Sequence, residues 1–175
     1  TAWSAEKELD GSNRTTAAEM ADIDGDGLKD LVLTLFGPGP VWFKRKPGGF
    51  DGYQYILLGA IPQTGSDQSL CTGDPDKDGG IDVMGSSPGR LTFYRNTGGG
   101  NFTYTVVDTL SQVSGVDWVD IDGDGNDDLT VAYRNPAKVL WYTNAGNAVF
   151  GSPRCTGAEY KSTGAIAVAD LDMDG

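Results

Sequence analysis

The stretch DIDGDGLKD at residues 22–30 returns as DPDKDGGID at 74–82, as DIDGDGNDD at 120–128 and, cut short, as DLDMDG at 170–175. The four starts lie 52, 46 and 50 residues apart. A fixed period of this size marks a repeat architecture. Features outward from each acidic loop repeat with it. A β-like run follows (DLVLTL 30–35, DVMGSS 82–87, DLTVAYR 128–134), then a Gly/Pro turn (GPGP 37–40, SPGR 87–90, RNPAK 134–138). An aromatic run comes next (VWFKRK 41–46, LTFYRN 91–96, VLWYTN 139–144), and a Gly-rich turn closes on Phe50, Phe102 or Phe150. The first Asp and the closing Phe are separated by 28, 28 and 30 residues.

A further strand precedes each loop and another follows each closing Phe, as in YQYILLG (53–59) and FTYTVVDTL (102–110). Each repeat therefore reads as four short antiparallel strands, with the acidic loop between the first and second. Four-stranded units of 40–50 residues that stack radially make a β-propeller. The expected fold is an all-β propeller of about three full blades and the start of a fourth, with repeats over roughly 17–66, 67–113, 114–163 and 164–175. SAEKEL (4–9) could form one helical turn but reads better as the edge of a preceding unit.

Composition narrows the function. The 175 residues carry 13 basic and 25 acidic side chains, a formal charge of -12. Such a surface repels nucleic acid. The chain has no histidine, which removes Ser-His-Asp and Cys-His catalysis and imidazole metal sites. No phosphate loop, dinucleotide fingerprint or nucleophile elbow occurs, so the chain reads as non-catalytic. No apolar run approaches the ~20 residues of a membrane-spanning helix.

The spacing of the acidic loops suits a hard cation. Alternating Asp22, Asp24 and Asp26 can converge in a curled loop, Gly27 permits the bend, Leu28 offers its carbonyl and Asp30 closes the shell. The second loop supplies Asp74, Asp76, Asp78, Asp82 and the Gly80 carbonyl. The third supplies Asp120, Asp122, Asp124, Asp128 and the Asn126 carbonyl, and the fourth Asp170, Asp172 and Asp174. Oxygen-only ligands at positions 1, 3, 5, 7 and 9 fit Ca²⁺ better than Mg²⁺, which keeps its waters, or a soft metal, which wants Cys or His. Asp and Gly also favour plain turns, but loops in phase around crowded carboxylates need a counter-charge. An EF-hand is excluded, because position 12 is Leu33, Gly85 or Val131 rather than Glu and the flanks are strands.

These loops and strands resemble the FG-GAP/VCBS repeats of integrin-α-type propellers, over about residues 17–175. The resemblance implies Ca²⁺ in the hairpin between the first two strands of each blade, at the positions named above. It also implies about seven blades, so that a chain ending within DLDMDG would be a segment of a longer polypeptide. Pro75, where the other loops have Ile or Leu, and Gly80, in place of a larger residue, suggest a looser second site.

Asn13 and Asn101 begin N-x-[ST] sequons and are candidate glycosylation sites. Cys71 and Cys155 could form one disulfide, although they sit at different repeat phases. The pairs Trp42–Phe43, Phe93–Tyr94 and Trp141–Tyr142, with Trp118, read as packing between blades rather than as a ligand surface. The leading functional expectation is an extracellular, calcium-stabilised module for adhesion or assembly. Its contacts would be protein or glycan surfaces, other copies, or the rest of its own chain. A lectin and a scaffold or appendage of a secreted polysaccharide- or lipid-acting enzyme are the alternatives.

Overall fold

The computed structural model describes residues 15–35, 39–55, 69–110, 112–157 and 164–168. Residues 4–9, Asn13, Asp170, Asp172 and Asp174 lie outside the described residues. Twelve strands form three four-stranded sheets. The first holds β1 (Thr15–Ala21), β2 (Asp30–Leu35), β3 (Gly39–Lys46) and β4 (Gly49–Tyr55). The second holds β5 (Ser69–Gly73), β6 (Asp82–Ser87), β7 (Arg90–Asn96) and β8 (Phe102–Asp108). The third holds β9 (Val113–Val119), β10 (Asp128–Arg134), β11 (Ala137–Tyr142) and β12 (Arg154–Cys155). Within each sheet the order follows the sequence and every pairing is antiparallel. The described residues contain no helix. This is the blade plan of a propeller, with the first strands β1, β5 and β9 touching in succession.

The aromatic pairs explain how the sheets stack. Neighbouring residues of a strand face opposite sides. Trp42 packs with Ile23, Val32, Leu70, Val83 and Tyr94 between the first and second sheets, while Phe43 turns to the other face with Leu35 and Val41. One sheet on, Tyr94 faces back and Phe93 faces forward, onto Met84, Val116, Leu129, Val131 and Tyr142. Phe93 meets Trp118 and Phe150 of the third sheet edge-on, and those two rings stack with centroids 5.8 Å apart. The buried rings of Trp42, Phe43, Phe93 and Tyr94 each stabilise the stack by roughly 1.5–3 kcal/mol, and the half-buried Trp118 and Phe150 by less. Trp141 departs from this pattern. It is half-buried, with the Arg154 guanidinium over its ring.

Polar links repeat as well. Three residues before the first loop, the Glu19 carboxylate accepts from the Thr72 amide (2.8 Å) and hydroxyl (2.6 Å) of the next sheet. Three residues before the third loop, Asp117 accepts from the Val168 amide at 3.0 Å. Cys71 holds this place in the second repeat, and there Ser69 Oγ accepts from the Val116 amide instead. The closing strand of the third sheet is only two residues long. Pro153, just before it, has no N–H to donate.

Gly100 illustrates how tightly the sheets meet. Its φ is +76°, and a Cβ there would lie 2.5 Å from Trp42 Cζ2, whereas Gly48 shares the left-handed backbone (φ +95°) but faces open space. Gly48→Ala should therefore cost about 1 kcal/mol, from backbone strain alone. Gly100→Ala should cost roughly 2–4 kcal/mol, because overlap with Trp42 adds to it. Chemical denaturation of both variants checks this, and equal losses would show that Trp42 is not lodged against Gly100.

Candidate metal centre

Each acidic loop is first a set of side chain to backbone turns. Asp22 accepts from the amides of Gly25, Asp26 and Gly27 at 2.7–3.1 Å. Asp74 accepts from Asp78 and Gly79, and Asp120 from Gly123 and Gly125. The fourth and sixth loop positions take left-handed backbone, which glycine adopts without strain. Gly25 and Gly27 supply it in loop one and Gly123 and Gly125 in loop three, but loop two puts Lys77 at φ 60° before Gly79. Lys77 Nζ donates to the Gly125 carbonyl of loop three.

This folding gathers carboxylate oxygens. In loop one Asp22, Asp24 and Asp30 each bring an oxygen within 4.8 Å of the others, and in loop three Asp120, Asp122 and Asp128 do the same. In loop two the gathered set is Asp74, Asp76 and Asp78. The fifth-position carboxylates Asp26 and Asp124 stand outside these sets and accept from the amides of Leu28 (2.9 Å) and Asn126 (2.7 Å). Asp78 likewise accepts from Gly80 (2.8 Å).

The ninth-position residue has a role that its reading as a ligand missed. Asp30, Asp82 and Asp128 head β2, β6 and β10 with no exposed surface. Oδ1 of each accepts a backbone N–H from the end of the third strand (Arg45, Asn96) or from just past it (Asn144), at 2.7 Å in all three sheets. The second oxygen accepts from the second-position amide, Ile23 to Asp30 (3.0 Å) and Ile121 to Asp128 (3.2 Å). Pro75 has no such N–H, and Asp82 Oδ2 is buried without a hydrogen-bond partner.

Two basic side chains that the sequence reading passed over also enter the loops. Lys44 pairs with Asp24 and, at 2.9 Å, with Asp26, while Arg95 pairs with Asp76 at 2.7 Å. Each directly precedes the residue whose amide holds the ninth-position Asp, a place taken in the third sheet by Thr143. A cleft of about 330 Å³ between loops one and two, walled by Asp22, Asp24 and Asp78, gives solvent ions access to both.

Other expected sites fall out as follows. Asn101 is exposed in the turn before β8, and its amide donates to the Gly98 carbonyl at 2.9 Å. Cys71 is a buried free thiol in β5 and Cys155 an exposed one in β12. The two belong to different sheets and to different repeat positions.

Burial raises the carboxyl pKa of Asp30, Asp76 and Asp128, and their hydrogen bonds and ion pair only partly offset it. Asp82 goes furthest, to about 7, through burial first and then the negative charge of Asp76, Asp78 and Asp74. The Lys44 pairing instead lowers Asp26. A carboxyl whose folded pKa lies above its unfolded value holds extra protons in the folded state, so stability falls as pH rises between the two values. In chelator, the melting temperature should therefore drop as pH climbs from about 4 to 7, and Asp82→Asn should flatten that slope. A slope unchanged in the variant would mean that Asp82 is not the titrating group.

The recurring sheets and loops find a match in sequence. The FG-GAP-like repeat matches residues 74–131 and 120–175, more than half of the chain. No curated protein sequence matches. In fold, the chain is similar to an Agrocybe aegerita lectin described for its specific recognition of non-reducing terminal N-acetylglucosamine. The TM-score is 0.55 and the identity 20%, over 79% of this chain and 37% of the lectin. The chain thus spans little more than a third of that lectin's length. A second similar structure is the Photorhabdus luminescens Tc holotoxin pore, at TM-score 0.46 and 23% identity, over 82% of this chain and 7% of that one. With two matched repeats covering most of its length and a four-stranded sheet built around each described acidic loop, the chain belongs to the FG-GAP-like repeat family.

Proposed function

We propose that this chain is a non-catalytic, calcium-stabilised propeller module that works outside the cell, in adhesion or assembly, through contacts with protein or glycan surfaces. The observation that carries the calcium reading is the convergence of three carboxylates in each of three loops, together with the orphaned, fully buried oxygen of Asp82. An unpaired buried carboxylate oxygen costs several kcal/mol, and a cation answers it. The donors are oxygens throughout, which fits Ca²⁺. The Leu28, Gly80 and Asn126 carbonyls, and Asp26, Asp82 and Asp124, would complete the shells. Asp170, Asp172 and Asp174 would begin a fourth.

Extracellular sites of this kind bind at ~0.1–1 mM, and at tenfold excess each independent ion adds about 1.4 kcal/mol. Three divalent ions would halve the formal charge of -12. Millimolar Ca²⁺ should raise the melting temperature by several degrees where Mg²⁺ does not, and Asp120→Asn should remove part of the gain. An unchanged melting temperature in Ca²⁺ would sink the reading. The exposed Asn101, and Asn13, are the proposed glycan acceptors.

A second reading, carbohydrate binding, is favoured by a cleft of about 520 Å³ between the second and third sheets. Thr103, Thr105, Arg95 and Asn147 line it beside Val149 and Phe150, so hydrogen-bonding groups stand next to apolar ones, as sugar faces require. The fold likeness to a lectin supports it. Glycan-array binding that is lost in Val149→Glu would favour this reading. A silent array, with protein contacts retained, would favour the first.

A further inference from the structure

Asn96 and Asn144 stand at the same point of successive repeats, and their surroundings correspond bond for bond. The Asn96 amide holds Asp82 Oδ1 at 2.7 Å, and its Oδ1 accepts from the Gly98 amide at 3.0 Å. Its Nδ2 donates twice, to the Ile81 carbonyl of its own loop (3.1 Å) and to the Ile23 carbonyl of the preceding loop (2.7 Å). Asn144 makes the matching bonds, to Asp128 (2.7 Å), Gly146 (3.0 Å), the Asp127 carbonyl (3.0 Å) and the Pro75 carbonyl (2.7 Å). Both side chains are buried, at 2% and 1% exposure. An asparagine needed only to cap its own turn would not spend an amide hydrogen on the loop of the neighbouring sheet.

The two latches differ at their far ends. Ile23, gripped at its carbonyl by Asn96, donates its own N–H to Asp30 Oδ2 at 3.0 Å. A continuous path of buried polar contacts thus joins the ninth-position carboxylate of loop two to that of loop one: Asp82, Asn96, Ile23, Asp30. The corresponding buried path from loop three reaches Pro75 and stops, because proline has no N–H to pass on; the other bond between these two loops, from Lys77 Nζ to the Gly125 carbonyl, is exposed, so water can replace it. Asp82 Oδ2, which that N–H would have met, is left unpartnered.

We propose that Asn96 is a positioning residue that couples cation occupancy of loop two to that of loop one, and that Pro75 uncouples loop two from loop three. The inference rests on the calcium reading above. Its physical basis is that buried hydrogen bonds cannot be exchanged for water without a penalty. A shift of Asp82 toward an ion therefore moves Asn96, and Asn96 moves Ile23. Coupling of this kind shows in a site-resolved titration, as one midpoint shared by the two linked loops.

The experiment is hydrogen–deuterium exchange of the whole chain against Ca²⁺ concentration, followed separately in peptides covering 22–30, 74–82 and 120–128. In the unaltered protein, loops one and two should gain protection at one shared midpoint and loop three at its own. Asn96→Ser should split the shared midpoint by about fivefold or more, the lower end of ordinary coupling energies. Pro75→Ala restores an N–H without added bulk, and should bring the loop-three midpoint within about twofold of the other two. Three unlinked midpoints in the unaltered protein, or a shared midpoint that survives Asn96→Ser, would overturn the coupling. If Asn96→Ser does not fold, Pro75→Ala decides alone, and an unmoved loop-three midpoint overturns the proposal. Protection in no loop at millimolar Ca²⁺ overturns the calcium reading itself, an outcome distinct from uncoupled binding.

Discussion

Three fully buried carboxylates, Asp30, Asp82 and Asp128, each accept one backbone N–H from the end of the third strand of their own sheet or from just past it. Taking such a group out of water is costly, and a donor fixed by the strand pairing offsets part of that cost. The bond therefore forces three things at once. The second strand must begin where the loop ends, the third strand must reach the level of the loop, and the turn after it must start there. The aromatic residues on either side of the third strand then have defined faces, and the sheets stack on them.

Much of this was legible in the residues. Repetition at a spacing near 50, alternation within strands and Gly/Pro turns between them placed β2, β6 and β10 at the stretches read as strands. Adjacent aromatics at a repeated phase implied two faces to fill, and Trp42, Phe43, Phe93 and Tyr94 fill them. Less was legible where one residue serves two purposes. Asp30, Asp82 and Asp128 have the spacing of ligands, and nothing in a linear pattern says that one oxygen is already committed to Arg45, Asn96 or Asn144. An Asn two residues before a Gly, as in NTG and NAG, reads as turn chemistry. Only the stacking of the sheets shows that Asn96 and Asn144 reach the neighbouring loop. Lys44 and Arg95 look like solvated charges on a strand until the loop curls toward them.

The repeats are alike in backbone and unlike in how they handle charge. Loop one brings in Lys44 and gives both Asp30 oxygens a donor. Loop three gives both Asp128 oxygens a donor and has Thr143 in the place of Lys44 and Arg95. Loop two has Arg95 but lacks the second donor, since Pro75 replaces Ile23 and Ile121. It also carries Lys77 in left-handed backbone where its neighbours use glycine. The site expected to be looser thus differs in a definite way. A different set of carboxylates converges there, and the ninth-position residue is held back beneath it.

Electrostatics makes those small differences consequential. Two carboxylate charges about 5 Å apart repel by roughly 3 kcal/mol at an effective dielectric of 20, and three gathered charges contain three such pairs. Hydrogen bonds to charged acceptors contribute about 1.5–3 kcal/mol each, and the first Asp of each of the three described loops collects two or three of them. Repulsion and backbone donation are therefore of the same order, and solvent at the exposed rim lowers both. In such a balance, one ammonium, one guanidinium or one missing N–H decides how far a loop can close on its own. A divalent ion acts on all three pairs at once, which neither Lys44 nor Arg95 can do from one side of the loop. The aromatic cores hold the sheets face to face, while the edge where the loops meet is set by whatever neutralises that charge.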